Sequence, residues 1–156
     1  GYFGSKTREC TCTPLQISKY LSKISGPLMD RIDLHISVDS VTYDDLTTDS
    51  LAESSDKIRE RVNKARKIQS ERFIGTGVHC NAKMTAEMLK KYCKTDEASE
   101  RLLRQAFDKL KLSARAYTRI LKVARTIADL AGEENITIKH ISEALNYRSM
   151  DRDYLN

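Results

Sequence analysis

The 156-residue sequence predicts a mainly α fold, a helical bundle preceded by one helix and one strand. Three observations predict it. After Glu53, apolar residues recur at helical spacing in successive runs, each opened by a Ser, Thr or Asp placed to cap it. Between Ile32 and Val38, apolar and polar residues alternate, which is the period of a strand with one buried face. Between the two lies T-Y-D-D-L-T-T-D-S, polar, rich in turn formers and without periodicity, which reads as a linker. The chain therefore divides into residues 1–45 and residues 46–156.

In the first unit, Thr13-Pro14 sets a capping threonine before a proline at the first helical position. Leu15, Ile17, Tyr20, Leu21 and Ile24 then supply the apolar face of a helix expected to end at Gly26, since glycine suits the position after a helix and Pro27 has no amide to extend one. Leu28 and Met29 give an apolar anchor. Ile32, Leu34, Ile36 and Val38 form the expected buried face of the strand, with Asp33, His35, Ser37 and Asp39 on the other. Arg31 thereby sits at a helix-to-strand junction. A guanidinium held on such an edge presents a fork of donors that matches phosphate oxygens, and in phosphoryl transfer it can be offered to an adjacent subunit's site. The competing reading of Arg31 is a surface ion pair with Asp30 or Asp33.

In the second unit, Ser54 or Ser55 caps a run through Ile58, Val62, Ala65 and Ile68 that stops before Gly75-Thr76-Gly77. Thr85 opens a short helix through Met88, Leu89 and Tyr92, on which Cys93 reads as core packing. Thr95-Asp96-Glu97 opens another through Leu102, Leu103, Ala106, Phe107 and Leu110. Ser113 starts the most strongly patterned helix, with Ala116, Ile120, Val123, Ala124, Ile127 and Leu130 as its apolar face and Gly132 as its stop. The last helix follows Thr137, with Ile136 and Ile141 spaced as a hydrophobic staple. Arg115, in the first turn of the Ser113 helix, joins a guanidinium to a helix N-terminus, a combination that favours an anion. Arg115, Arg119 and Lys122 also fall on one face opposite the apolar stripe, which is the pattern of a solvated basic face.

Composition narrows the function classes. No run approaches the roughly 18 apolar residues of a membrane span, and no basic region followed by an apolar block marks a signal peptide, so a cytoplasmic, non-membrane protein is expected. The net charge of +5 leans toward polyanionic partners, weakly, since 22 acidic residues nearly balance 27 basic ones. The four cysteines, Cys10, Cys12, Cys80 and Cys93, do not form the spacing of a secreted disulfide framework. Cys10-Thr11-Cys12 is half of a tetrahedral thiolate site, and zinc would need two further soft ligands. His35, His79 and His140 lack metal-ligand spacing, and Tyr92, Tyr117 and Tyr147 sit in helical patterns as packing residues. There is no G-x-x-x-x-G-K-[ST] loop and no apolar strand ending in acidic residues, so this chain by itself is not expected to hydrolyse ATP.

The segments G-Y-F-G, C-T-C-T-P, L-S-K-I-S-G-P-L-M-D-R-I-D-L-H, L-S-A-R-A-Y-T-R-I-L-K-V-A-R-T-I-A-D-L-A-G and H-I-S-E-A-L-N-Y-R, in that order, resemble the C-terminal part of the magnesium-chelatase-like AAA+ ATPases, the ChlI-like and ComM-like group. The resemblance runs from Gly1 to about Arg152. It implies that the bundle is the AAA+ lid and that the first unit is the C-terminal edge of an α/β P-loop ATPase core. It implies a trans arginine finger at Arg31 and a sensor 2 arginine at Arg115, the latter reaching the γ-phosphate in its own subunit or the neighbour's. ATP and magnesium are implied for the full-length protein and neither is expected in this fragment. The implied partners are its own ATPase core and the neighbouring subunits of a homo-oligomeric ring, expected to be a hexamer. Members of this group carry a second cysteine pair just upstream of the G-Y-F-G-like segment, which here would fall before Gly1, so zinc at Cys10 and Cys12 is expected only with those residues.

For ComM-like members the resemblance implies work on branched or single-stranded DNA during recombination, and for chelatase motor subunits it implies metal insertion into a porphyrin. The C-x-C element and the chain's end soon after the lid helices favour the ComM-like side. A stand-alone helical module binding nucleic acid or protein would explain the charge and the helices, but would leave the strand at Ile32–Val38 with no sheet to join.

Overall fold

A computed structural model describes residues 1–5, 7–38, 41, 43, 47 and 52–148. Most of the expected linker at 42–50, and everything after Arg148, lies outside the described residues. The fold is mainly α. Its helices are α1 (Pro14–Leu21), α2 (Gly26–Met29), α3 (Ser55–Arg72), α4 (Ala86–Tyr92), α5 (Glu97–Leu110), α6 (Ala114–Ala131) and α7 (Ile138–Asn146), with one 3-10 turn at Asn81–Lys83.

Local chemistry sets the helix ends. Thr13 and Gln16 form a reciprocal capping box at α1, in which the Gln16 amide donates to Thr13 Oγ1 and the Thr13 amide donates to Gln16 Oε1 at 2.9 Å. Thr85, Asp96 and Ser113 accept from the amides of Met88, Ser99 and Ala116 at 3.3, 2.8 and 3.1 Å. Gly132, at φ +73°, ends α6 in the left-handed conformation, and the Glu133 amide reaches back to the Ala128 carbonyl at 2.9 Å.

The bundle is organised around α6, which touches α3, α4, α7 and the 3-10 turn, while α5 packs on α7. Ile120, Ala124, Ala128, Ile136 and Ile141 are almost wholly enclosed in a core that also takes in Phe73, Met84, Leu89, Cys93, Leu103 and Leu112. Ile136 and Ile141 flank the start of α7 as the staple spacing predicts. On α3 only the last turns are covered: Ala65 and Gln69 are buried, whereas Ile58 and Val62 remain exposed.

Three expectations change. Gly26-Pro27 does not end the first helix but opens α2, because α1 stops at Leu21 and proline fits the first turn of a helix as readily as it fits the residue after one. No strand forms at Ile32–Val38; among the described residues no second strand lies beside it to complete a ladder. Nor is the expected apolar face buried there: Leu34, Ile36 and Val38 are 47, 63 and 85% exposed, Asp33 and Ser37 are exposed as well, and His35 goes inside. The segment's backbone bonds instead to the far end of the bundle, the His35 amide donating to the Tyr147 carbonyl at 2.7 Å. Finally, the buried face of α6 is rotated from the apolar stripe, so that Leu121, Arg125, Ala128 and Asp129 go inside and Leu130 stays out.

Candidate functional site

Arg31 stands just after α2, its amide donating to the Leu28 carbonyl at 2.9 Å, with its side chain exposed. The ion pairs that would have occupied it are made by other residues. Asp30 pairs with Arg148 at 3.5 Å, and Asp33 accepts from Arg119 on α6. Arg31 has no ion pair among the described residues. A guanidinium left in water between two satisfied carboxylates keeps all its donors for an incoming group.

Arg115 lies one turn above Arg119 on α6, exposed, beside the capped helix start. With Arg119, Lys122, Thr118 and Thr126 it lines a groove of about 520 Å³ whose opposite wall includes Asp33, Leu34, Glu143 and Tyr147. Lys122 is committed to the Ala82 carbonyl at 2.9 Å, and Arg119 to Asp33, so Arg115 is the member of the row with no side-chain partner among the described residues. Asp33 and Leu34, just after Arg31 in the chain, border the groove that Arg115 lines, while Arg31 lies outside the groove lining.

Sequence reasoning missed the most deeply placed charges. Asp129 receives Arg72 at 2.7 Å, Arg125 at 3.1 Å and the Asn81 side-chain amide at 2.7 Å. Arg125 also donates to the carbonyls of Glu133 and Glu134, both at 2.6 Å, and so ties down the chain leaving α6. Asn81 bonds Thr126 at 3.1 Å and, through its amide, Gln69 at 3.0 Å. Burial pushes the Arg125 guanidinium below its ordinary value, and the Asp129 carboxylate opposes that shift. The available signal was Arg125 and Asp129 at i, i+4 on a helix otherwise alternating between apolar and basic, but partners from α3 and the 3-10 turn are needed to show that the pair goes inward.

Cys10 and Cys12 are half-buried free thiols at the N-terminal end, next to Gly1. Backbone hydrogen bonds from Cys12 and Tyr2 hold the Cys10 thiol below its ordinary value. Two thiols supply half of a tetrahedral shell, and no group of three or more His, Cys, Asp or Glu side chains converges among the described residues, so these residues alone do not make a zinc site. Cys93 is buried against the α6 backbone, and burial pushes its thiol up to about 11. His140 is a core histidine whose ring Nδ1 accepts from the Thr137 amide at 3.1 Å, while His79 is exposed. Tyr92 packs edge-on against Phe73 at 5.5 Å.

Residues 52–148 match the family model for the C-terminal region of magnesium chelatase, subunit ChlI, and residues 1–46 match the model for magnesium chelatase, subunit ChlI, itself. The chain belongs to the magnesium chelatase family. Competence protein ComM of Haemophilus influenzae is 43% identical to it over 97% of this chain and 28% of that protein. The uncharacterized YifB proteins of Salmonella typhimurium and Escherichia coli are 37% and 36% identical over 97% of this chain and 29% of theirs. This magnesium chelatase family chain thus spans little more than a quarter of the curated relatives it matches, and corresponds to a C-terminal region. No described helix is long and apolar enough to cross a membrane.

Proposed function

We propose that this chain is the part of a ring-forming ATPase that acts across subunit boundaries. Arg31 serves as an arginine finger that stabilises charge on a neighbouring subunit's γ-phosphate as its bond breaks, and Arg115 senses the phosphates from the lid. What supports the reading is one observation: both carboxylates flanking Arg31 are held by arginines of the bundle, leaving Arg31 exposed with all its donors. In this reading residues 1–45 close the ATPase core and 46–156 form the lid. ATP and magnesium are held by the portion of the protein upstream of Gly1, and the ring is a cytoplasmic homo-hexamer. Cys10 and Cys12 join zinc there only with an upstream cysteine pair.

The substrate we propose is DNA, remodelled or branch-migrated during recombination, which is supported by the identity to a relative named for competence. A second reading, driving metal insertion into a porphyrin, is supported by the family description. Stimulation of ATP turnover by branched DNA favours the first, and stimulation by a porphyrin favours the second. Family matches over both units weigh against a stand-alone helical module.

The finger is tested by mixing full-length Arg31→Ala subunits with subunits disabled in their phosphate loop. A finger acting across the interface predicts partial recovery of turnover at mixed junctions, where an intact loop meets an intact arginine. Absence of recovery at every mixing ratio excludes a trans role for Arg31.

A further inference from the structure

We propose that Arg119 and Arg148 are positioning residues that clamp the segment carrying Arg31 onto the bundle, so that the setting of Arg31 toward a neighbouring subunit follows movement of α6. The proposal rests on the reading of Arg31 as a finger and adds the means by which the lid controls it.

The clamp has two jaws, one spanning Arg31 and one just beyond it. The first jaw, Arg148, is only 1% exposed, and its fork is split between the Ile32 carbonyl, taken by Nη1 at 2.9 Å, and the Asp30 carboxylate, approached by Nη2 at 3.5 Å, one on each side of Arg31. A point charge cannot serve both acceptors as a planar guanidinium does. On the C-terminal side, Arg119 pairs with Asp33, and the His35 amide donates to the Tyr147 carbonyl at 2.7 Å. Met29, at the end of α2 immediately before the clamped stretch, is buried among residues of the segment itself. Residues 30, 32, 33 and 35 are therefore attached to the bundle while residue 31 projects from it.

The two jaws differ in strength. Arg148 is itself buried and its contacts are partly so, and removing one partner of such a set is strongly felt. The Arg119–Asp33 pair is half in water, with side-chain exposures of 27 and 50%, and exposed pairs of that kind are easily exchanged. Arg119 is one helical turn from Arg115, about 6 Å along the axis at 1.5 Å per residue. A phosphate drawn to Arg115 lies within reach of Arg119, so it competes with Asp33 for that guanidinium. Nucleotide state at the lid is thereby passed to the segment that holds Arg31.

The test uses the full-length ATPase with this chain as a structural control. Asp33→Asn and Arg119→Ala are each expected to lower turnover about tenfold; Asp33→Asn is expected to leave nucleotide affinity no weaker, whereas Arg119→Ala is expected to weaken it, since phosphate and Asp33 compete for that guanidinium. Arg119→Lys, which keeps a cation facing both Asp33 and the phosphate, is expected to retain most of the turnover, and Arg148→Lys to lose at least as much as Asp33→Asn. Asp33→Asn added to Arg31→Ala is expected to cost nothing further, since both act through one group. In this chain, Asp33→Asn should speed hydrogen exchange at the His35 amide without changing that at Ala124. Wild-type turnover in Asp33→Asn and Arg119→Ala, beside a large loss in Arg31→Ala, overturns the clamp and leaves the finger standing. Independent, multiplying losses overturn the clamp as well. Full turnover in Arg31→Ala overturns the finger and the clamp with it.

Discussion

The bundle at 52–148 and the segment at 1–38 spend their apolar residues in opposite ways. In the bundle, Ile120, Ile136 and Ile141 are almost wholly enclosed and the buried Asp129 is paired internally, with Arg72 and Arg125. Among the segment's described residues only Met29 and His35 are buried, while Leu15, Tyr20, Ile36 and Val38 stand 63 to 85% exposed. The bundle is a finished packing unit. The segment has the apolar content of a core element but, among the described residues, nothing covers it. Its attachment to the bundle is largely polar and concentrated at residues 30–35, around Arg31. The difference teaches that substitutions should separate by region: the segment carries consequences for activity, the bundle for stability.

The largest expected effect lies in the segment. Arg31→Ala in the full-length protein should lower ATP turnover by on the order of 10³-fold while leaving nucleotide binding and ring assembly intact, and Arg31→Lys should rescue little. In this chain Arg31→Ala should change stability by no more than about 0.5 kcal/mol, since it removes an exposed group with no ion pair. A loss of stability comparable with the loss of activity would erase the contrast between the regions.

Next in size is the buried network. Asp129→Ala leaves Arg72 and Arg125 facing one another without their shared carboxylate and should cost about 3–5 kcal/mol in urea unfolding of this chain. Removing the exposed Glu97 partner of Arg101 should cost less than about 1 kcal/mol. A smaller effect separates the two kinds of apolar residue. Ile141→Ala should cost about 2–5 kcal/mol, because Ile141 is fully enclosed. Val38→Ser, at an 85% exposed site, should fall within about 0.5 kcal/mol of wild type. Equal costs would mean that the segment is packed in solution.

The smallest effect is in the thiols. Cys10, held below its ordinary value at the exposed end of the segment, should react first with a disulfide reagent near neutral pH, and Cys93 last. Burial raises Cys93 from 9.0 to about 11, so the unfolded chain gives up that proton before the folded one does. Its contribution to stability is therefore complete below pH 9.0 and is lost as pH rises toward about 11. Comparing unfolding of wild type and Cys93→Ala from pH 8 upward isolates this slope, and an identical pH dependence in the two would contradict the burial of Cys93.

The sequence by itself determined the helices of the bundle, because their signals are local: Thr85, Asp96 and Ser113 accept the amides that each helix start leaves open, and Gly132 takes the left-handed turn that ends α6. It also singled out Arg31 and Arg115 by their place beside helix ends. Three things were decided by tertiary structure alone. The stretch after Arg31 has the alternation of a strand, but a strand is a property of two chain segments, and here the backbone pairs with Tyr147 and Arg148 instead. The inward turn of Arg125 and Asp129 depends on Arg72 and Asn81, which are 53 and 44 residues from Arg125 in the chain and leave no periodic trace. The freedom of Arg31 likewise depends on Arg119 and Arg148 taking the neighbouring carboxylates across long separations. Periodicity and capping report what a residue does to its own turn of chain, whereas charge pairing is settled by which distant groups the packed core brings within a few ångströms.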